Sequence, residues 1–140
     1  MKQYSDFFNS YSLVHRPLTN YTNHILEKHG LSSSYWRLLR VLENGESKSF
    51  RDITDALKIE KPSVTNIIKK LSDLEIVEIH SGQDKRVKMV KLTPYGKDKM
   101  AEIRNSLNPF FEYALQGLSH EQLEIAVEVL DTIRKNITKL

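Results

Sequence analysis

The chain has 140 residues, 39% of them apolar and 28% charged, with no cysteine and a formal net charge of +3. That length suits one domain, or a domain with helical extensions for oligomerisation, and is too short for the large α/β barrels. No uninterrupted apolar run exceeds three residues, which excludes a transmembrane helix and a signal-peptide core and leads us to expect a soluble, cytoplasmic chain; without thiols, disulfides, thiolate metal sites and thiol redox switches are excluded as well.

Tyr4, Phe7, Phe8, Tyr11, Val14, Leu18, Tyr21 and Ile25 recur at steps of three and four, the spacing of a helix with one broad apolar face. Pro17 is expected to kink or split it and Gly30 to end it. Ser32 is placed to cap a second helix, with Leu31 and Trp36 at the positions of a hydrophobic staple and Leu38, Leu39, Val41 and Leu42 as its apolar residues, up to Asn44-Gly45. Ser49 with Asp52 forms a capping box for a short third helix burying Phe50, Ile53, Ala56 and Leu57, and a turn follows through Lys58, Ile59 and Glu60.

Pro62 suits the first position of a fourth helix, because the N–H it lacks would be unpaired there anyway. Val64, Ile67, Ile68 and Leu71 make its apolar stripe, while Ser63, Thr65, Asn66, Lys69 and Lys70 occupy the other face, all of them donors and none acidic. From Ile76 the period changes to about two. Residues 76–80 and 87–93 read as strands around a tip at residues 81–86. Thr93-Pro94 starts a long helix through Met100, Ile103, Leu107, Phe110, Phe111, Ala114 and Leu115, with Pro109 expected to bend it. Ser119 and Gln122 form another capping box ahead of a last stripe of Leu123, Ala126, Val127, Leu130, Ile133 and Ile137.

The predicted fold is mainly α with a small β-hairpin. Two short helices joined by a tight turn, the second with a polar and basic face, followed at once by a basic hairpin, are the parts of a winged helix-turn-helix. A major groove about 12 Å wide admits one helix. Ser63, Thr65 and Asn66 can then reach base edges while Lys61, Lys69 and Lys70 neutralise phosphates. Lys85, Arg86 and Lys88 of the hairpin are placed for the neighbouring backbone or the minor groove, whose negative potential attracts arginine. Asp84 is unsuited to a phosphate and is expected to orient Arg86. The charge distribution agrees, with +2 in residues 1–58, +3 in 59–104 and −2 in 105–140.

Asp84-Lys85-Arg86, followed by Leu92-Thr93-Pro94-Tyr95-Gly96, resembles the Asp-x-Arg wing and the Leu-Thr-x-x-Gly lead-in to the next helix of the MarR family of bacterial transcription regulators, and residues 62–71 are similar to that family's recognition helix. The resemblance runs along nearly the whole chain. It implies duplex DNA as partner, Arg86 in the minor groove with Asp84 holding it, and a homodimer through residues 1–30 and 94–140 around a DNA-binding region of residues 31–93. Two recognition helices about 10 bp apart then predict a pseudo-palindromic operator. One departure is Glu75, where the family usually has glycine; a left-handed backbone there costs about 1 kcal/mol.

The resemblance also implies release of DNA by a small aromatic or phenolic anion, for which Tyr11, His15, Arg16, Trp36 and Arg40 are the candidate lining: rings to stack, a cation for a carboxylate. No cofactor and no metal are expected. His24 and His29 are five apart, off the spacing that puts two ligands on one helix face. No phosphate-cradling glycine loop or nucleophile elbow occurs, so a regulator is expected and not an enzyme. The alternative is a winged-helix adaptor that binds protein and has no DNA role.

Overall fold

The computed structural model describes residues 2–140. In chain order these form α1 (Lys2–Glu27), α2 (Ser33–Val41), β1 (Lys48–Ser49), α3 (Phe50–Leu57), α4 (Lys61–Asp73), β2 (Val77–Ser81), β3 (Lys88–Leu92), α5 (Pro94–Ala114) and α6 (His120–Thr138). The fold is the predicted mainly helical one. α1 runs unbroken through Pro17 and α5 through Pro109, so neither proline splits its helix. The chain folds as two compact units, one ending at Leu107 and the other spanning Asn108–Leu140.

In the first unit the stripes predicted for α2, α3 and α4 converge on one core: Leu38, Leu39 and Leu42, then Ile53, then Val64, Ile68 and Leu71 are solvent-free. Leu26 of α1, Val90 of β3, and Ile103 and Leu107 of α5 complete it. Ala56 is exposed, contrary to expectation, and Phe50 only half-buried. α2 is also capped differently from its sequence signal. Ser32 has the extended backbone of an N-cap, but its hydroxyl makes no capping bond; the Ser33 N–H instead donates to Asn23 Oδ1 at 3.1 Å, so α1 caps α2 across the intervening turn. Leu31 and Trp36 are both buried, as a staple requires.

The hairpin is not alone. β1 pairs with β3, giving an antiparallel sheet of order β1-β3-β2 with Lys48 opposite Val90 and Ser49 opposite Met89. In the hairpin itself Val77 faces Leu92 and Ser81 faces Lys88. Third-strand pairing and burial of Val77, Val90 and Leu92 against the helices supply what a two-stranded ribbon lacks.

α4 ends in a Schellman arrangement. The Glu75 N–H donates to Ser72 O at 2.9 Å and the Ile76 N–H to Leu71 O at 3.0 Å, with buried Ile76 and Leu71 supplying its apolar contact. This turn needs a left-handed residue, and Glu75 takes φ +62°. Glycine adopts that conformation without a Cβ penalty. Glu75→Gly is therefore expected to stabilise the protein by about 1 kcal/mol, read as a rise of a few degrees in the melting midpoint at fixed protein concentration; an unchanged or lower midpoint would contradict the strain.

In the second unit, α6 begins with the predicted box. Gln122 N–H donates to Ser119 Oγ at 3.1 Å and Ser119 N–H to Gln122 Oε1 at 2.9 Å. No residue of α6 is buried, and Val127, Leu130 and Ile137 stand exposed.

Candidate nucleic-acid interface

α3 is fixed at both ends. Asp52 N–H donates to Ser49 Oγ at 3.0 Å and Ser49 N–H to Asp52 Oδ2 at 3.4 Å, the capping box expected from sequence. At the other end Lys58 turns left-handed with φ 55°, and Arg37 of α2 donates from Nη2 to Leu57 O at 3.3 Å. That chain reversal starts α4 after Glu60, with Lys61 first and Pro62 second, one position later than predicted but still in the turn whose N–H groups have no helical partner.

Burial of Val64, Ile67, Ile68 and Leu71 sets the rotation of α4 about its axis. Lys61, Asn66, Lys69 and Lys70 are consequently exposed, and Ser63 and Thr65 half-buried. One of these differs from expectation as a donor: Thr65 Oγ1 donates to Lys61 O at 3.1 Å, leaving its lone pairs, not its hydrogen, for an outside group.

At the wing tip the Gly82 N–H donates to Val87 O and the Val87 N–H to Asp84 O, each at 2.9 Å, which closes the turn. Inside it, Asp84 Oδ1 accepts from Arg86 N at 3.0 Å and Nε at 3.2 Å, while Oδ2 accepts from Nη2 at 3.4 Å. The pair expected from sequence thus forms. The Arg86 backbone N–H, and then its guanidinium, hold the Asp84 carboxyl below its ordinary value of 3.8. Lys85 and Lys88 are exposed beside it, and Lys91 pairs across the strands with Glu78 at 3.3 Å.

The root of the wing holds residues whose contacts sequence pattern did not reveal. Thr93 Oγ1 lies 2.6 Å from Glu75 O and accepts the Gly96 N–H at 2.9 Å. A Cβ on Gly96 would fall well inside contact with the Ile76 carbonyl, 3.0 Å from its carbon. The Thr-x-x-Gly spacing was the available signal: a hydroxyl at the N-cap reaches the N–H three residues on.

The five candidate effector residues divide between elements. On α1, Tyr11 stacks on His15 with ring centres 5.7 Å apart, and Arg16 is exposed. On α2, Trp36 is buried to 8% exposure and Arg40 is exposed. The cation over Trp36 is Arg104 of α5, 5.7 Å from the ring centre and paired with Glu43. A hollow of about 220 Å³ beside Arg104 is lined by Glu43, Leu92, Lys97, Met100 and Ala101 instead. Among the described residues no group of three or more His, Asp or Glu is placed to hold a metal. His29 meets Ser106 Oγ at 2.9 Å through Nε2. No helix of the described residues is long and apolar enough to cross a membrane.

Comparison with known proteins agrees with this geometry. Residues 29–87 match the model of the MarR family. The chain is 34% identical over 109 residues to the HTH-type transcriptional regulator YwoH of Bacillus subtilis, covering 78% of this chain and 80% of YwoH. It is 26% identical over 137 residues to the HTH-type transcriptional regulator SAR2349 of Staphylococcus aureus, covering 96% and 94% of the two chains. Among solved structures, Staphylococcus aureus MarR in complex with salicylate and kanamycin superposes with a TM-score of 0.86 at 26% identity, covering 99% of this chain and 94% of that one. These relatives are regulators, not enzymes. With the helix-turn-helix, the forked wing arginine and these matches together, the chain belongs to the MarR family of winged-helix, DNA-binding transcriptional regulators.

Proposed function

We propose that the protein is a homodimeric, ligand-responsive repressor that binds a pseudo-palindromic duplex operator. The observation that carries this reading is Arg86: its side chain is 91% exposed, yet two hydrogen bonds from its guanidinium to Asp84 orient it, and its backbone N–H holds the same carboxylate. An outward-facing cation held in one orientation suits a narrow, negative minor groove. Asn66, Ser63 and Thr65 then address base edges, and Lys61, Lys69, Lys70, Lys85 and Lys88 address phosphates. Exposed apolar side chains support the dimer. Tyr4, Phe8, Val14 and Tyr21 on α1 and Val127, Leu130 and Ile137 on α6 are the kind of surface that marks an association site. Residues 1–30 and 94–140 serve association in this reading and residues 31–93 serve DNA. The salicylate bound by the Staphylococcus aureus relative supports a small aromatic anion as effector, with Tyr11, His15, Arg16, Trp36 and Arg40 as the residues to test.

The test begins with duplexes selected from a random pool by the purified protein. Sedimentation should give a dimer, and log K for the selected duplex should fall linearly and steeply with log salt. Transcription from a promoter carrying the site should fall on adding protein and recover with millimolar salicylate. A stable monomer at micromolar concentration would remove the dimer. Absence of duplex affinity at low salt would leave the protein-binding adaptor. A complex that salicylate does not disturb would remove the effector.

A further inference from the structure

The end of α4 and the start of α5 meet at a single oxygen atom. The Schellman turn uses Leu71 O and Ser72 O, and just past the end of α4 the carbonyls of Glu75 and Ile76 point away from that helix's own N–H groups. Both are met by Thr93. Its hydroxyl lies 2.6 Å from Glu75 O and 3.1 Å from Ile76 O, and its N–H donates to Ile76 O at 3.1 Å. The same hydroxyl accepts the Gly96 N–H, the third residue of α5, at 2.9 Å. The run from Gly96 N–H through Thr93 O–H to Glu75 C=O is a two-bond chain in which each bond polarises the next.

At its closest approach this joint is backbone against backbone, with the Thr93 hydroxyl bridging it. Gly96 is buried, and its α-carbon side faces the Ile76 carbonyl with no room for a methyl group. Flexible side chains between packed elements would absorb a small tilt of one helix. A backbone-to-backbone seat clamped by hydrogen bonds passes the tilt on. α5 itself continues from this joint to Ala114.

We propose that Thr93 is a positioning residue for DNA recognition: its hydroxyl locks α4 to α5, so the distance between the two recognition helices of a dimer is set by α5 and not by slack at the wing root. The proposal rests on the dimeric DNA-binding reading above. In it Thr93 touches no DNA; its loss loosens the spacing of half-sites and leaves the contacts to each half-site intact.

The experiment uses the full-length protein and its selected operator, together with operators lengthened or shortened by one base pair between half-sites. That change moves a half-site by about 3.4 Å and about a tenth of a turn. Wild type and Thr93→Ser, which keeps the hydroxyl, should bind the altered operators at least about tenfold more weakly than the selected one, whereas Thr93→Val, of nearly the same shape, should show a difference of about threefold or less. Affinity for random duplex and the salt slope should be unchanged in Thr93→Val. Should the valine variant not fold, Thr93→Cys, with a weaker and longer-bonding thiol, is read in the same way. Undiminished spacing discrimination in a folded valine or cysteine variant would overturn the clamp, even if its melting midpoint fell. A wild-type protein that binds no duplex would overturn the DNA-binding reading, and the clamp with it.

Discussion

Gly96→Ala is expected to destabilise the protein by about 3 kcal/mol or more. The sign is the informative part. Replacing glycine by alanine inside a helix ordinarily stabilises by about 1 kcal/mol, because alanine restricts the unfolded chain. At Gly96 the new methyl would enter the Ile76 carbonyl, with its carbon 3.0 Å away and the Ile76 side chain 3.3 Å away. Backbone held by its own hydrogen bonds cannot yield as a flexible side chain would. Relief requires moving α5 away from Ile76 or pulling Ile76 from the core, and the Thr93 bonds to Glu75 O, Ile76 O and Gly96 N are strained in either case. Urea unfolding of both proteins at the same concentration measures the difference. An alanine variant as stable as wild type would show that the wing root is soft and would weaken the clamp argument as well.

Why some of these features were legible in the sequence and others were not follows from how local their causes are. The capping boxes at Ser49 and Ser119 need only a hydroxyl and an acceptor three residues on, and both formed. The stripes of α4 and α2 depend on helical period alone, and they were buried as expected except for Val41, which is half-buried. The Asp84 and Arg86 fork spans two residues. β1, by contrast, is two residues long and carries no periodicity; it is a strand because Met89 and Val90, forty residues onward, offer it an edge. Asn23 caps α2 from another helix, and Arg104 rather than Arg40 faces Trp36 because α5 comes alongside. Ala56 fits the α3 stripe by spacing, yet a short helix turns only part of that arc inward. The Thr-x-x-Gly pattern marked a helix start; that the same hydroxyl also seizes the end of α4 could be seen only once residues 75 and 93 were adjacent.

Arg86→Ala is expected to weaken binding to every duplex, selected or random, by on the order of a hundredfold or more, since in the proposed dimer each of two wings loses a charge-assisted contact of about 1.5–3 kcal/mol. The slope of log K against log salt should fall by about 2. Arg86→Lys should recover little of this, because an ammonium is a point charge that cannot span both Asp84 oxygens as the guanidinium Nε and Nη2 do. Asp84→Asn should give a smaller loss than Arg86→Ala: the cation remains, but its carboxylate brace is gone. The pH dependence follows from the same brace. The Asp84 carboxyl is held below 3.8, so the ionised form that supports Arg86 is complete at neutral pH and fades only as pH falls through that depressed value. Titration from pH 8 to pH 5 should therefore leave the wing contribution constant, measured as the affinity ratio of wild type to Asp84→Asn. A ratio that collapsed near pH 6 would place another titrating group at the wing tip. An Arg86→Ala variant that kept wild-type affinity and salt slope would take the wing out of the DNA interface altogether, leaving α4 as its sole protein element.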